Sequence, residues 1–169
     1  MSTPITTRED LTRIQWFAMS AYKNEKKAEE MLKGKDGLEY FIPKHYAVRV
    51  YHGVKSKRLV PVIPNLVFVH ASRKQITDFK KKYNFLQFMM WEKSTGLKYI
   101  VVPDKQMEDF MFVMDLNPDG VSLNSEILTV GHKVKVIKGE FSGIEGEVAI
   151  EANKTYVVIR IKDLLTASV

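Results

Sequence analysis

VPVIPNLVFVHASRKQITDF, residues 60–79, is the stretch from which the fold can be read. Pro61 and Pro64 suit the margins of a paired region rather than its middle, because proline has no amide to give a ladder. From Leu66 to Ala71 the chain is nearly all apolar, which predicts a central strand buried on both faces. Ser72 then opens a helix, with Gln75 at capping-box spacing and Ile76, Phe79 and Tyr83 on one face. Lys80, Lys81 and Lys82 gather at its last turn, where cations complement the helix dipole. A buried strand running directly into a capped amphipathic helix points to mixed α and β structure.

Working toward the N-terminus, Arg58 to Ile63 and Tyr46 to Tyr51 read as the two arms of a hairpin. Val48 and Val50 alternate with Arg49, His52-Gly53 opens the loop, and the basic VKSKR segment is expected at the tip. Tyr40 to Ile42 is a short strand. Asn24 is expected to cap EKKAEEMLK, whose Ala28, Met31 and Leu32 form the apolar stripe, and Gly34 and Gly37 end that helix. Gln15 to Tyr22 (QWFAMSAY) reads as a buried strand.

Toward the C-terminus, FLQFMMW and LKYIVV flank a turn at EKSTG and make a second hairpin. Asp104 is expected to cap a third helix in which Met107, Phe110, Met111 and Met114 recur at helical spacing, as core residues do. Asp115 to Thr129 lacks periodicity and contains Pro118, Asp119 and Gly120, so it is the candidate linker. The remainder alternates short β-prone segments with glycine-bearing turns, the pattern of a small β-barrel.

Composition bounds the chemistry. The chain has 169 residues, 45% of them hydrophobic and 27% charged, which excludes disordered and fibrous classes. With no cysteine it has no disulfide, thiolate zinc site, iron-sulfur cluster or cysteine nucleophile. The polar opening MSTPITTREDLT and the lack of a long apolar run predict a cytoplasmic protein with no membrane partner. Charge is uneven: residues 1–115 carry 20 basic and 13 acidic side chains, and the remainder 6 and 7. Between Lys44 and Lys82 ten basic residues face Asp78 alone, a density that suits a polyanion.

Nothing in the sequence builds a reaction centre. His45, His52, His70 and His132 lack metal-ligand spacing. Gly34-Lys35 ends a helix and does not close a phosphate loop, and Glu108 and Asp109 are neighbours that point apart on their helix. No enzyme activity, cofactor or metal is therefore expected. Gly139, Gly143 and Gly146, with Phe141 inside a turn, look like the KOW motif, where glycine permits a positive φ.

In order and spacing, WFAM, VPVIPNLVFVH, PDKQMEDF and the KOW segment resemble the NusG family of transcription elongation factors, from Gln15 to Val169. The resemblance implies an α+β chain. Residues 13–115 would form an antiparallel sheet flanked by helices, the polymerase-binding domain. Residues 116–129 would be the linker, and 130–169 an SH3-like barrel, the KOW domain. The family's last barrel strand normally runs past the equivalent of LLTASV, so that strand is expected to be cut short, leaving an open edge. The β-branched run TYVVIRI argues against a helical alternative for this segment.

Pro64-Asn65, where the family often has Pro-Gly, and the stretch from IPNLVFVHA to VVPDKQMEDF look most like the UpxY antiterminators of capsular polysaccharide operons. This implies a specialised factor that binds RNA polymerase without catalysis. Leu66, Phe68 and Trp91, with Ser20 where relatives often carry an aromatic, match the patch that grips the β′ clamp helices. Ser72 to Thr77 matches the region facing the β subunit. Lys23, Lys26, Lys27 and Lys82, with Lys81 beside it, match residues that meet the non-template DNA strand, and Arg49, Lys55, Lys57 and Arg58 would guide upstream duplex DNA. Phe141 matches an aromatic offered to a small-subunit ribosomal protein, and Rho is another partner for this domain. Two alternatives remain open: a general NusG-type elongation and termination factor, and a KOW-containing ribosome-associated RNA-binding protein.

Overall fold

The computed structural model describes residues 8–94, 96–116, 122–124, 133–136, 139–140, 142–151, 154–161 and 165–168. A short helix, α1 (Arg8–Thr12), leads into β1 (Ile14–Ser20), whose apolar residues from Trp16 to Met19 are all buried. Helix α2 (Glu25–Leu32) follows and buries Ala28 and Leu32. Asn24 precedes it as expected, but its side chain makes no capping bond; its amide donates instead to the Tyr22 carbonyl at 2.8 Å. Gly34 and Gly37 end the helix with φ of 75° and 77°, values that a side chain resists.

After β2 (Glu39–Phe41) come β3 (Lys44–Tyr51) and β4 (Val54–Pro61), paired residue for residue from Lys44 with Pro61 to Tyr51 with Val54. The turn is only His52-Gly53, with φ of 48° and 77°; both are positive, as a two-residue type I′ hairpin turn requires. This corrects the expected basic tip: VKSKR lies along β4 rather than in the loop.

Strand β5 (Leu66–Ser72) feeds α3 (Arg73–Lys82) through the predicted capping box. The Gln75 amide N–H donates to Ser72 Oγ at 3.2 Å, and the Ser72 N–H donates to Gln75 Oε1 at 2.9 Å. The second hairpin divides into β6 (Gln87–Phe88), β7 (Met90–Lys93), β8 (Gly96–Tyr99) and β9 (Val101–Val102). Its outer half, β7–β8, pairs with itself, while β6 and β9 each pair with β1. At the division Met89 N–H donates to the Ala18 carbonyl, and Ile100 N–H donates to that of Met89.

Helix α4 (Asp104–Leu116) buries Met107, Phe110 and Met114 as its spacing predicts, while Met111 is only half-buried and Val113 is buried in addition. Within the stretch expected as linker, Ser122–Asn124 forms a strand, β10. With β11 (Lys133–Lys135), β12 (Glu145–Glu151), β13 (Lys154–Ile161) and β14 (Leu165–Ser168) it makes an antiparallel sheet in the order β10-β14-β13-β12-β11. The expectation of an open edge at the C-terminal strand is corrected here, because β14 is bonded on one side to β13 and on the other to β10.

Two compact units result: residues 1–42 with 64–103, and residues 43–63 with 104–169. The first holds a sheet in the order β2-β5-β1-β6, with β9 also on β1. Phe17, Met19, Val67, Val69 and Ala71 point to one face and pack with Ala28 and Leu32 of α2 and Ile76 and Phe79 of α3. Trp16, Ala18, Leu66, Phe68 and Val102 point to the other and are buried as well, with the Trp16 ring stacked on His70 at 4.7 Å. In the second unit α4 lies against β13, and buried Asp109 ties the helix to β12. Its carboxylate accepts from Lys105 Nζ at 2.6 Å and from the Glu145 N–H at 3.3 Å, while neighbouring Glu108 faces water.

Candidate nucleic-acid and partner interface

Three of the residues expected to form an apolar docking patch, Ser20, Leu66 and Phe68, lie on one face of the first sheet, and Trp91 lies in the β7–β8 hairpin. Ser20 pairs with Leu66, and Phe68 lies opposite Ala18, so the pleat aims all three the same way. Leu66 is 3% exposed and Phe68 0%, so neither side chain is open to water. The physical reason is the company they keep. A face built of Trp16, Ala18, Leu66, Phe68 and Val102 gains roughly 25 cal/mol for each Å² of apolar surface removed from water, and this one is buried. Ser20 remains half-buried, as does Trp91, which pairs with Lys98 in the β7–β8 hairpin. Ser72 is buried with its hydroxyl committed to the capping box, so of the two β-facing residues only Thr77 offers an exposed side chain.

Lys23, Lys26, Lys27, Lys81 and Lys82 are all exposed. Three further features of this region escaped sequence reasoning. The Lys27 ammonium lies 5.0 Å from the Phe85 ring centroid, Lys80 lies 4.8 Å from that of Phe88, and the Arg73 guanidinium 4.4 Å from that of Tyr99. Burial against this surface lowers the Lys80 pKa. The only signal in the sequence was the adjacency of KKK and YNFLQF, which does not say which cation covers which ring. Lys81 donates to Asp78 Oδ1 at 2.7 Å, and that hydrogen bond holds the Asp78 carboxyl below its usual range.

The β3–β4 hairpin has a different character. Alternation places Tyr46, Val48, Val50, Lys55, Lys57 and Leu59 on one face, and Arg49, Tyr51, Val54 and Arg58 on the other. Both faces are open: Val48, Val50, Tyr51 and Val54 are all more than half exposed, as large apolar residues seldom are. Lys57 sits over the Tyr46 ring at 4.3 Å. From Lys44 to Arg73 the sequence contains no acidic residue, so the ribbon is uniformly cationic.

Among the described residues, no group of three His, Asp or Glu side chains is placed to hold a metal ion, and no helix is long and apolar enough to cross a membrane. His132 and Phe141 lie outside the described residues.

No curated protein matches the chain. The sequence model of one family, described as transcription termination factor nusG, matches residues 14–111, more than half of the chain. The matched span runs from the first residue of β1 through most of α4, and so takes in the central sheet, the helices α2 and α3 and the cationic hairpin. A scaffold with an apolar sheet in one unit and a basic ribbon in the other suits a factor that works by attachment. The chain belongs to the NusG family of transcription elongation and termination factors, proteins that bind RNA polymerase and are not enzymes.

Proposed function

We propose that the protein is a specialised antitermination factor that rides on RNA polymerase and suppresses pausing or termination, in the manner of the UpxY factors of polysaccharide-synthesis operons. One observation carries the proposal: in a NusG-family chain, Pro64-Asn65 stands at the entry to β5, and the exposed ribbon that precedes it in the sequence carries cations and no acids. Residues 13–115 form the polymerase-binding part. Ser20 and Trp91 are the accessible residues of the clamp-helix contact, and Leu66 and Phe68 belong to its apolar layer. Thr77 faces the β subunit. Lys23, Lys26, Lys27, Lys81 and Lys82 meet the non-template strand, and Arg49, Lys55, Lys57 and Arg58 guide upstream duplex DNA. Residues 130–169 close into the KOW barrel, whose Phe141 meets a small-subunit ribosomal protein or Rho. The site of action is the cytoplasm.

Transcription with purified bacterial polymerase over templates carrying pause sites and a Rho-dependent terminator tests this reading. Faster passage and read-through on adding the protein are expected. Termination enhanced by the protein in the presence of Rho would make it a general factor instead. Co-sedimentation with ribosomes without affinity for polymerase would favour a ribosome-associated RNA-binding protein.

A further inference from the structure

Tyr22 and Lys23 both occupy the left-handed backbone region, with φ of 43° and 64°, and neither is glycine. Such residues are uncommon, and persist where the surroundings over-determine them. Here the surroundings converge on Asn65, itself left-handed with φ of 69°. Its side-chain oxygen accepts from the Lys23 N–H, its carbonyl accepts from the Ala21 N–H at 2.8 Å, and its own N–H donates to Glu25 Oε1 at 2.6 Å. Asn24 closes the turn by donating to the Tyr22 carbonyl. Glycine at position 22 or 23 would relieve the strain, yet the chain carries an aromatic and a lysine there.

The turn thus holds a large ring out in water. Tyr22 is 64% exposed, although the preceding Ala21 is fully buried. Lys23, Lys26 and Lys27 follow it and are exposed. An open aromatic face beside ammonium groups is the combination by which proteins hold single-stranded nucleic acid, the ring stacking on an unstacked base while cations meet the phosphates. We infer that the Tyr22 ring is a stacking platform for one base of a single DNA strand, that Lys23 and Lys26 bind the flanking phosphates, and that Asn65 is the positioning residue that keeps the turn in its binding geometry. The inference rests on the reading that the cations around α2 meet the non-template strand.

The test is fluorescence anisotropy of the full chain with a short labelled oligodeoxynucleotide over a range of salt, with circular dichroism as the check on folding. Tyr22→Leu should weaken binding about tenfold and leave the salt slope unchanged, whereas Tyr22→Trp should retain affinity. Lys23→Gln should reduce the slope of log K against log salt by about 0.7. Asn65→Gly keeps the backbone angle accessible but loses the bond to Lys23, so it should weaken binding and speed hydrogen exchange of the Lys23 amide. Equal affinity of Tyr22→Leu and the parent chain would overturn the inference alone. A parent chain that shows no salt-dependent affinity for the strand would overturn the strand-contact reading with it. Tighter binding of RNA of the same sequence would overturn the assignment to DNA.

Discussion

Strands β4 and β5 are similar in length and β propensity and lie only four residues apart, yet one is exposed along most of its length and the other is buried on both faces. Charge accounts for the difference. VKSKRLVP carries three cations in eight residues, and sinking either face would strip water from an ammonium or guanidinium group with no acid nearby to answer it. LVFVHAS carries no group that is charged at neutral pH unless His70 is protonated, and its apolar surface is best removed from water on both sides. Equal propensity therefore produces a structural centre in one case and an exposed ribbon in the other. The cations along β4 also guard a two-stranded ribbon against edge pairing with another chain.

The largest expected effect breaks the buried side of this comparison. Phe68→Asp puts a charge at a fully buried site and should destabilise the first unit by at least about 4 kcal/mol, read as loss of cooperative urea unfolding. A well-folded Phe68→Asp chain that merely loses polymerase affinity would make β5 a surface strand after all. On the exposed side, replacing Arg49, Lys55, Lys57 and Arg58 together by Gln should change stability by no more than about 0.5 kcal/mol. If all four meet duplex phosphates, the same change should flatten the salt dependence of DNA binding by about 3.6 in slope. An unchanged slope would leave the ribbon without a polyanion partner.

Smaller effects sharpen the contrast at its margins. Ser72→Ala removes the hydroxyl where β5 passes into α3 and should cost about 1 kcal/mol in thermal or urea unfolding. Lys81→Gln should raise the Asp78 pKa toward 3.8 in a carboxyl NMR titration. The sign follows from the direction of the shift. A carboxyl held below its ordinary value in the folded chain adds stability above that value, and the contribution fades as pH falls through the lowered one.

Much of this fold was legible in the sequence because local chemistry dictated it. The unbroken apolar run of β5, the Ser72–Gln75 capping box and the methionine stripe of α4 each depend on residues a few positions apart. What escaped depends on distant partners. The left-handed turn at Tyr22 and Lys23 is tied to Asn65, more than forty residues away. That Ser122–Asn124 would become a strand depends on pairing with β14. For the candidate site, the exposure of the cations follows from their charge, whereas the burial of Leu66 and Phe68 was not legible. A run such as LVFVHA says that burial is favourable and not whether the chain or a partner provides it.

The arrangement around β1 has a consequence for how such a protein can change. Because β6 and β9 each pair with β1, while β7 and β8 pair as strands with each other, the outer hairpin is a tip on a stem fixed to the sheet. The pairing of β1 with β5, β6 and β9 does not run through that tip, so the hairpin can vary in length without renegotiating the architecture that carries it.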